Sequence, residues 1–218
     1  MRYNHLILVI MLGMVFLLAG CGNSPETQIY NHLEEAVKLE EGFQEQQDEI
    51  TKLEQEEQEL YKQIIELGIE ELDQIKEFAE RALESIEKRD ERISLEKESL
   101  DASRAEFEQS KELIGEIKDE EVKEKALTMY DTMINRFDAY DILNKTYNES
   151  LELEKQLYEM LQREDLEQEA LQEQVEKVNL KYQEVIEANS LFNDYTSEYN
   201  ELKKNFYEVA EINVKYID

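Results

Sequence analysis

The residues whose types and spacing point most directly to chemistry are Leu18-Ala19-Gly20-Cys21. They close an uncharged apolar run, Leu6 to Leu18, that follows a short segment with one basic residue, Arg2. The run is too short to span a bilayer, which takes about 20 apolar residues, and its flanks are those of a signal peptide. Ala19 and Gly20 supply the small residues a signal peptidase needs. Cys21 is the only cysteine, so it has no internal disulfide partner, and as a bare exported thiol it would be unusual. The arrangement has the form of a bacterial lipobox. In that reading the Cys21 sulfur takes a diacylglyceryl group and becomes the acylated N-terminus after cleavage. Each buried CH2 of an acyl chain such as palmitate contributes about 0.8 kcal/mol, so more than one chain gives stable attachment. The expected organisation is residues 1–20 as a removed lipoprotein signal peptide, 21–25 as lipidated cysteine and short linker, and 26–218 as the folded domain. The expected location is the outer face of the cell membrane. The only expected cofactor-like group is the covalent diacylglycerol on Cys21.

Other chemistry is thin. Of the two histidines, His5 lies in the signal and His32 near the anchor. No Cys or His cluster has zinc-site spacing, and no glycine-rich loop is built to cradle phosphate. Paired carboxylates are frequent, as in Glu34-Glu35, Glu56-Glu57 and Glu120-Glu121. General acid catalysis, however, needs a buried carboxyl with a perturbed pKa, and on helix surfaces these pairs are expected to be solvated. Glu54, Glu57 and Gln58 share a helix face, as do Glu56 and Glu59, but no calcium loop is present. The sequence therefore reads as non-enzymatic and without a metal site.

The full chain carries a net charge of −30, and all of its acidic residues and every basic one except Arg2 follow Cys21, which leaves the mature chain at −31. Such a chain repels nucleic acid and anionic lipid headgroups, so no nucleic-acid partner is expected. Polyanionic teichoic acids would be repelled as well, unless divalent cations bridge the two.

Pro25 is the last proline, and Gly42, Gly68 and Gly115 are the only glycines beyond Gly22. Glu, Leu, Lys and Gln dominate, all good helix formers, and strand and hairpin signals are missing. Apolar residues step by 3 and 4 along one stripe, the seam of a helical bundle. One seam runs Leu33, Val37, Phe43, Ile50, Leu53, Leu60, Ile64; a second runs Leu72, Ile75, Ala79, Ala82, Ile86, Arg89, Ile93. A third reads Met133, Phe137, Tyr140, Asn144, Tyr147, Leu151, Glu154, Tyr158, Leu161. The last extends from Leu171 through Val178, Tyr182, Asn189, Phe192, Tyr199 and Phe206 to Asn213 and Ile217.

Ser24 and Pro25 suit a helix start. Breaks are expected at Leu67-Gly68-Ile69, with Gly68 in the left-handed conformation, at Gly115 to Glu121 with Asp119 as cap, and at Arg163-Glu164-Asp165 with Asp165 as cap. These divide the chain into four pieces of roughly 43 to 50 residues, each about 65 to 75 Å long. The expected fold class is all-α, an elongated up-and-down antiparallel helical bundle. Four long helices are favoured, and three result if the first helix runs through Gly68. The oligomeric state is left open.

Tyr140, Tyr147, Tyr158, Tyr182 and Tyr199 fall on the seams and read as core residues. Tyr195 and Tyr207 fall off them and are the candidates for an exposed aromatic patch that would stack on sugars. Asn144, Asn189 and Asn213 interrupt the seams and are expected to set helix register.

Ile29-Tyr30, Leu60-Tyr61-Lys62-Gln63-Ile64-Ile65, Arg136-Phe137-Asp138-Ala139-Tyr140, Leu157-Tyr158-Glu159-Met160-Leu161, Phe192-Asn193, Tyr199-Asn200 and Phe206-Tyr207 occur in an order and spacing that resembles the YkyA family. These are lipoproteins of Gram-positive bacteria named for cell-wall binding, and the match runs over nearly the whole mature chain. The resemblance implies a four-helix up-and-down bundle on a lipid anchor and a wall-binding role, with no catalytic residues to carry over. The expected function is a non-enzymatic, membrane-anchored extracellular lipoprotein, a binding or scaffold module at the membrane–wall interface. Its partners would be the membrane, through the lipid, and a cell-wall polymer or a protein of the wall zone. The alternative is a coiled-coil adaptor or regulator that binds a protein such as a wall hydrolase or membrane complex.

Overall fold

The computed structural model describes residues 24–212, and the lipobox Leu18, Ala19, Gly20 and Cys21 lies outside them. The elements are α1 (Pro25–Leu39), α2 (Glu41–Glu66), a 3-10 turn (Ile69–Glu71), α3 (Leu72–Phe107), α4 (Ser110–Glu116), α5 (Glu120–Leu161) and α6 (Gln168–Val209). No strand occurs among the described residues. The four long arms are α1 with α2, α3 with α4, α5, and α6, so the chain does turn at Gly68 and the four-helix expectation holds.

The helix ends follow from local chemistry. The Ser24 hydroxyl accepts a hydrogen bond from the Thr27 amide, with Pro25 in the first turn. The Asp119 carboxylate accepts from the amides of Glu121 and Val122 at 2.9 and 3.2 Å, which caps α5. Two details differ from expectation. Gly68 has φ −90° and ψ 167°, an extended conformation rather than a left-handed one. The turn is closed instead by the Glu71 carboxylate, which accepts from the Gly68 amide at 3.0 Å. Asp165 does not cap α6, because it is held by the Arg163 guanidinium at 3.2 and 3.4 Å; the residue before α6 is Glu167.

A break that the periodicity did not announce separates α1 from α2 at Glu40. Ser99 on α3 causes it. Its hydroxyl donates to the Leu39 carbonyl at 2.5 Å and accepts from the Phe43 amide at 3.0 Å, so a side chain is inserted into the helical ladder. Gly42 permits this approach, since a Cβ there would lie 3.2 Å from Ser99 Oγ. The freed Glu40 carboxylate accepts both terminal nitrogens of Arg136 at 2.8 Å.

Each arm packs on the next in the chain: α1 and α2 on α3, α3 on α5, and α5 on α6. The backbone of α6 approaches only α5. Side chains alone join α6 to the first arm, and mainly at one end. There Tyr207 and Lys203 reach Glu34, and Phe192 packs 5.8 Å from Phe43. An aromatic core of Phe107, Phe137, Tyr140, Phe192, Tyr199 and Phe206 fills this half of the bundle. A second core in the other half gathers Ile50, Leu60, Ile64, Ala79, Ala82, Ile86, Ile93, Tyr147, Leu151 and Tyr158. Between the two, Glu96 is buried and accepts from Gln47.

Candidate functional site

In the second half the first arm and α6 stand apart, and a cleft of about 670 Å³ opens between α2 and α6. The reason lies in the α6 seam. Toward the C-terminus α6 reaches the first arm through Phe192 on Phe43 and through Tyr207 and Lys203 on Glu34, whereas here its seam carries Val175, Val178 and Val185, which are too short to close the gap, and Tyr182, which stands in the cleft wall. Tyr61 and Tyr182 stand on opposite walls, while Tyr147 and Tyr158 rise from α5 beneath.

The floor is charged. Arg89 on α3 is 2 % exposed, Glu154 on α5 is 1 % exposed and Glu57 on α2 is 7 % exposed. One terminal nitrogen of Arg89 donates to both carboxylates. The other meets the Tyr147 hydroxyl at 3.5 Å, and that hydroxyl donates to Glu54 at the rim at 2.8 Å. The Tyr158 hydroxyl donates to the second oxygen of Glu57 at 2.7 Å. Two groups have no hydrogen-bond partner, Arg89 Nε and Glu154 Oε1. All three charged residues occupy apolar seam positions: Arg89 between Ile86 and Ile93, Glu154 between Leu151 and Tyr158, and Glu57 between Leu53 and Leu60.

Burial raises Glu57 to about 7; the Glu154 charge adds to the rise and Arg89 opposes it. For Arg89 burial works against the charged form, but Glu154 and Glu57 outweigh it and hold the guanidinium above its ordinary value. Burial, reinforced by the nearby carboxylates, pushes the Tyr158 and Tyr182 phenols upward, so they stay protonated. Arg89 is thus faced by three carboxylates, Glu57 and Glu154 on the floor and Glu54 at the rim, so acidic groups outnumber the one cation.

Ser150 donates to the Tyr147 carbonyl at 2.7 Å and Ser85, on the far side of α2, to the Leu53 carbonyl at 3.1 Å, so neither hydroxyl is held by a base. Among the described residues no group of three or more His, Cys, Asp or Glu is placed to hold a metal ion. His32 Nδ1 is engaged with Glu106 at 2.7 Å.

Several sequence expectations are corrected here. Tyr207 is 2 % exposed, its hydroxyl donates to Glu34 at 2.9 Å and its ring packs 5.4 Å from Tyr30. It is a core residue because this part of α6 faces α1 as well as α5, which widens the buried stripe. Tyr195 is half-buried against the same core, so the two form no surface patch. Tyr140, Tyr147, Tyr158 and Tyr199 are buried as expected, but Tyr182 is 36 % exposed in the cleft wall. Glu57 is buried, not solvated beside Glu56. Asn189 is exposed and sets no register, and Asn213 lies outside the described residues. The signal that could have exposed the floor was present: charges at 89 and 154 in otherwise apolar seams.

Fold and site together define a helical bundle with a lateral, acidic, tyrosine-lined cleft. The chain belongs to the YkyA family, whose model, described as "Putative cell-wall binding lipoprotein", matches residues 24–209. A curated relative from Bacillus subtilis (strain 168), "Uncharacterized lipoprotein YkyA", is 34 % identical over 203 residues, 93 % of this chain and 91 % of the relative. A crystal structure of a conserved protein of unknown function from Staphylococcus aureus shares the fold, with a TM-score of 0.58 at 13 % identity, covering 81 % of this chain and 88 % of that one. Among the described residues no helix is long and apolar enough to cross a membrane.

The buried charges generate two predictions. Arg89→Met leaves two buried carboxylates without their cation and should cost about 3–5 kcal/mol, read as a lowered urea midpoint, whereas replacing Arg89, Glu57 and Glu154 together by apolar residues should cost far less. Burial also raises Glu96 to about 7, with the Gln47 amide opposing. Glu57 and Glu96 therefore bind protons more tightly in the folded state than in the unfolded one. Their stabilising contribution is complete below the unfolded carboxylate range and is lost as pH rises through about 7. Thermal melts of the Glu96→Gln variant should accordingly fall less steeply between pH 5 and pH 8 than those of the parent.

Proposed function

We propose that this is a lipid-anchored, non-enzymatic protein of the outer membrane face that binds a component of the cell wall through the cleft between α2 and α6. The observation that carries the reading is the cleft itself, a concave, aromatic-rich site with a few converging polar groups and no activated nucleophile. The family description supports the wall as the source of the ligand. The anchor is the diacylglyceryl group on Cys21. With the chain tethered there, Glu57 lies some 32 residues beyond Pro25, about 48 Å along the helix axis, so the cleft stands well clear of the lipid surface.

The net charge of −30 bears on which wall component is bound. A polyanion would be repelled, which leaves peptidoglycan as the better match for a tyrosine-lined cleft.

A second reading, an adaptor for a protein partner, draws on α6. Leu180 is 60 % exposed and Leu191 is 41 % exposed, and at eleven residues apart they share one helix face. That reading expects one specific protein to be recovered by crosslinking in cells.

Cys21→Ala should abolish palmitate labelling and move the protein from the membrane fraction to the medium; unchanged membrane retention would remove the lipid anchor from the proposal. Co-sedimentation with purified sacculi, intact or stripped of teichoic acid, with and without millimolar Mg2+ and Ca2+, tests the binding. Retention is expected to survive stripping and to need no cation. No retention in any condition would sink direct wall binding and favour the adaptor.

A further inference from the structure

We propose that the cleft binds an organic ammonium, a primary amine displayed by a wall polymer, with the charged nitrogen received at Glu154 and the carbon skeleton laid against the tyrosine and valine walls. The proposal deepens the wall-binding reading and rests on it for the source of the amine.

Glu154 is the starting point. It is 1 % exposed, it lines the cleft, and its Oε1 has no partner. A buried carboxylate oxygen without a hydrogen-bond partner beneath a cleft is met best by a charged donor, since charge-assisted hydrogen bonds are roughly twice as strong as neutral ones. The surroundings select the sign. Arg89 is the one cation on the floor, and it already serves both Glu57 and Glu154, so it is not free to bind an anion. With Glu54 at the rim the cleft keeps an excess of negative charge, which an ammonium would neutralise.

The walls select an organic cation over a metal ion. Calcium takes six to eight oxygens, and this floor has one carboxylate oxygen to spare. Tyr61, Tyr147, Tyr158 and Tyr182 surround the cleft, and a cation over an aromatic face is attracted by the ring quadrupole. Val175, Val178 and Ile186 complete an apolar wall for the skeleton that carries the nitrogen.

Size selects a small unit over a protein helix. The volume of about 670 Å³ lies within the range of small-ligand sites, roughly 300–1,000 Å³. A three-turn helix about 16 Å long and 10 Å across would fill about 1,250 Å³. An amino sugar or a short peptide with a free amine fits, and the acidity of the whole chain would draw either one in.

The test uses the full-length chain in detergent and sacculi stripped of protein, either native or with their amines capped by acetic anhydride. Acetylation turns each ammonium into a neutral amide and leaves the glycan intact. Retention should fall about tenfold or more on the acetylated sacculi, the loss expected for one charge-assisted contact. Glu154→Gln should reduce retention on native sacculi to a similar degree. Gln58→Lys places a competing ammonium at the mouth from an exposed helical position, so it should do the same with an unchanged circular dichroism spectrum, and it serves if the Glu154 variant fails to fold. Equal retention on native and acetylated sacculi overturns the amine and leaves wall binding standing. No retention on either overturns wall binding, and titration with L-lysinamide then decides the site. NMR shifts concentrated at Tyr147, Tyr158 and Tyr182 would support it, and none at millimolar concentration would overturn it.

Discussion

Arg89 stands where α2, α3 and α5 converge, and its guanidinium is what allows two carboxylates to remain in an otherwise apolar layer. Glu57 comes from the first arm and Glu154 from the third, so the one cation ties three helices in a single register. Ion pairs of this kind contribute little net stability, because desolvation offsets most of the Coulombic gain. What they contribute is intolerance of any other arrangement: slide one helix by a turn and a charge is buried alone. The half of the bundle around the triad is aligned by this condition. The other half is aligned by interlocking aromatic rings, with the Arg136–Glu40 pair set among them and Glu96 between the two halves.

The fourth arm is the exception to that tight arrangement. It docks by its backbone on α5 alone, and it reaches the first arm only where its seam is aromatic. Where the seam turns to valine the two helices do not meet and the interior is opened to the side. The cleft is thus a consequence of side-chain length along one helix. Its floor is polar for a separate reason, the placement of Arg89, Glu57 and Glu154 in the seams. The coincidence of the two, a gap in the packing directly over an incompletely satisfied ion cluster, is what distinguishes this region from an ordinary packing defect. An apolar gap would be dry and inert, whereas this one lies over a buried carboxylate oxygen that has no hydrogen-bond partner.

Charge gives the cleft its setting. A strongly acidic bundle repels anionic polymers and draws in cations.

Much of the fold was legible in the sequence because helix formation is local. Seams stepping by 3 and 4, the scarcity of glycine and proline, and caps at Ser24 and Asp119 are read within a few residues, and they set four helical arms and most of their ends. The break at Glu40 was not legible, because its cause is Ser99 on another helix. Nor was the site. Periodicity tells which face of a helix is buried but not what lies opposite, so Tyr207 and Glu57 read as surface while both are interior. Arg89 and Glu154 stood out as charges within seams, yet nothing local says that they meet over Glu57. That meeting, and the cleft above it, depend on how far apart α2 and α6 stand, a distance that side chains on several helices decide together once they pack.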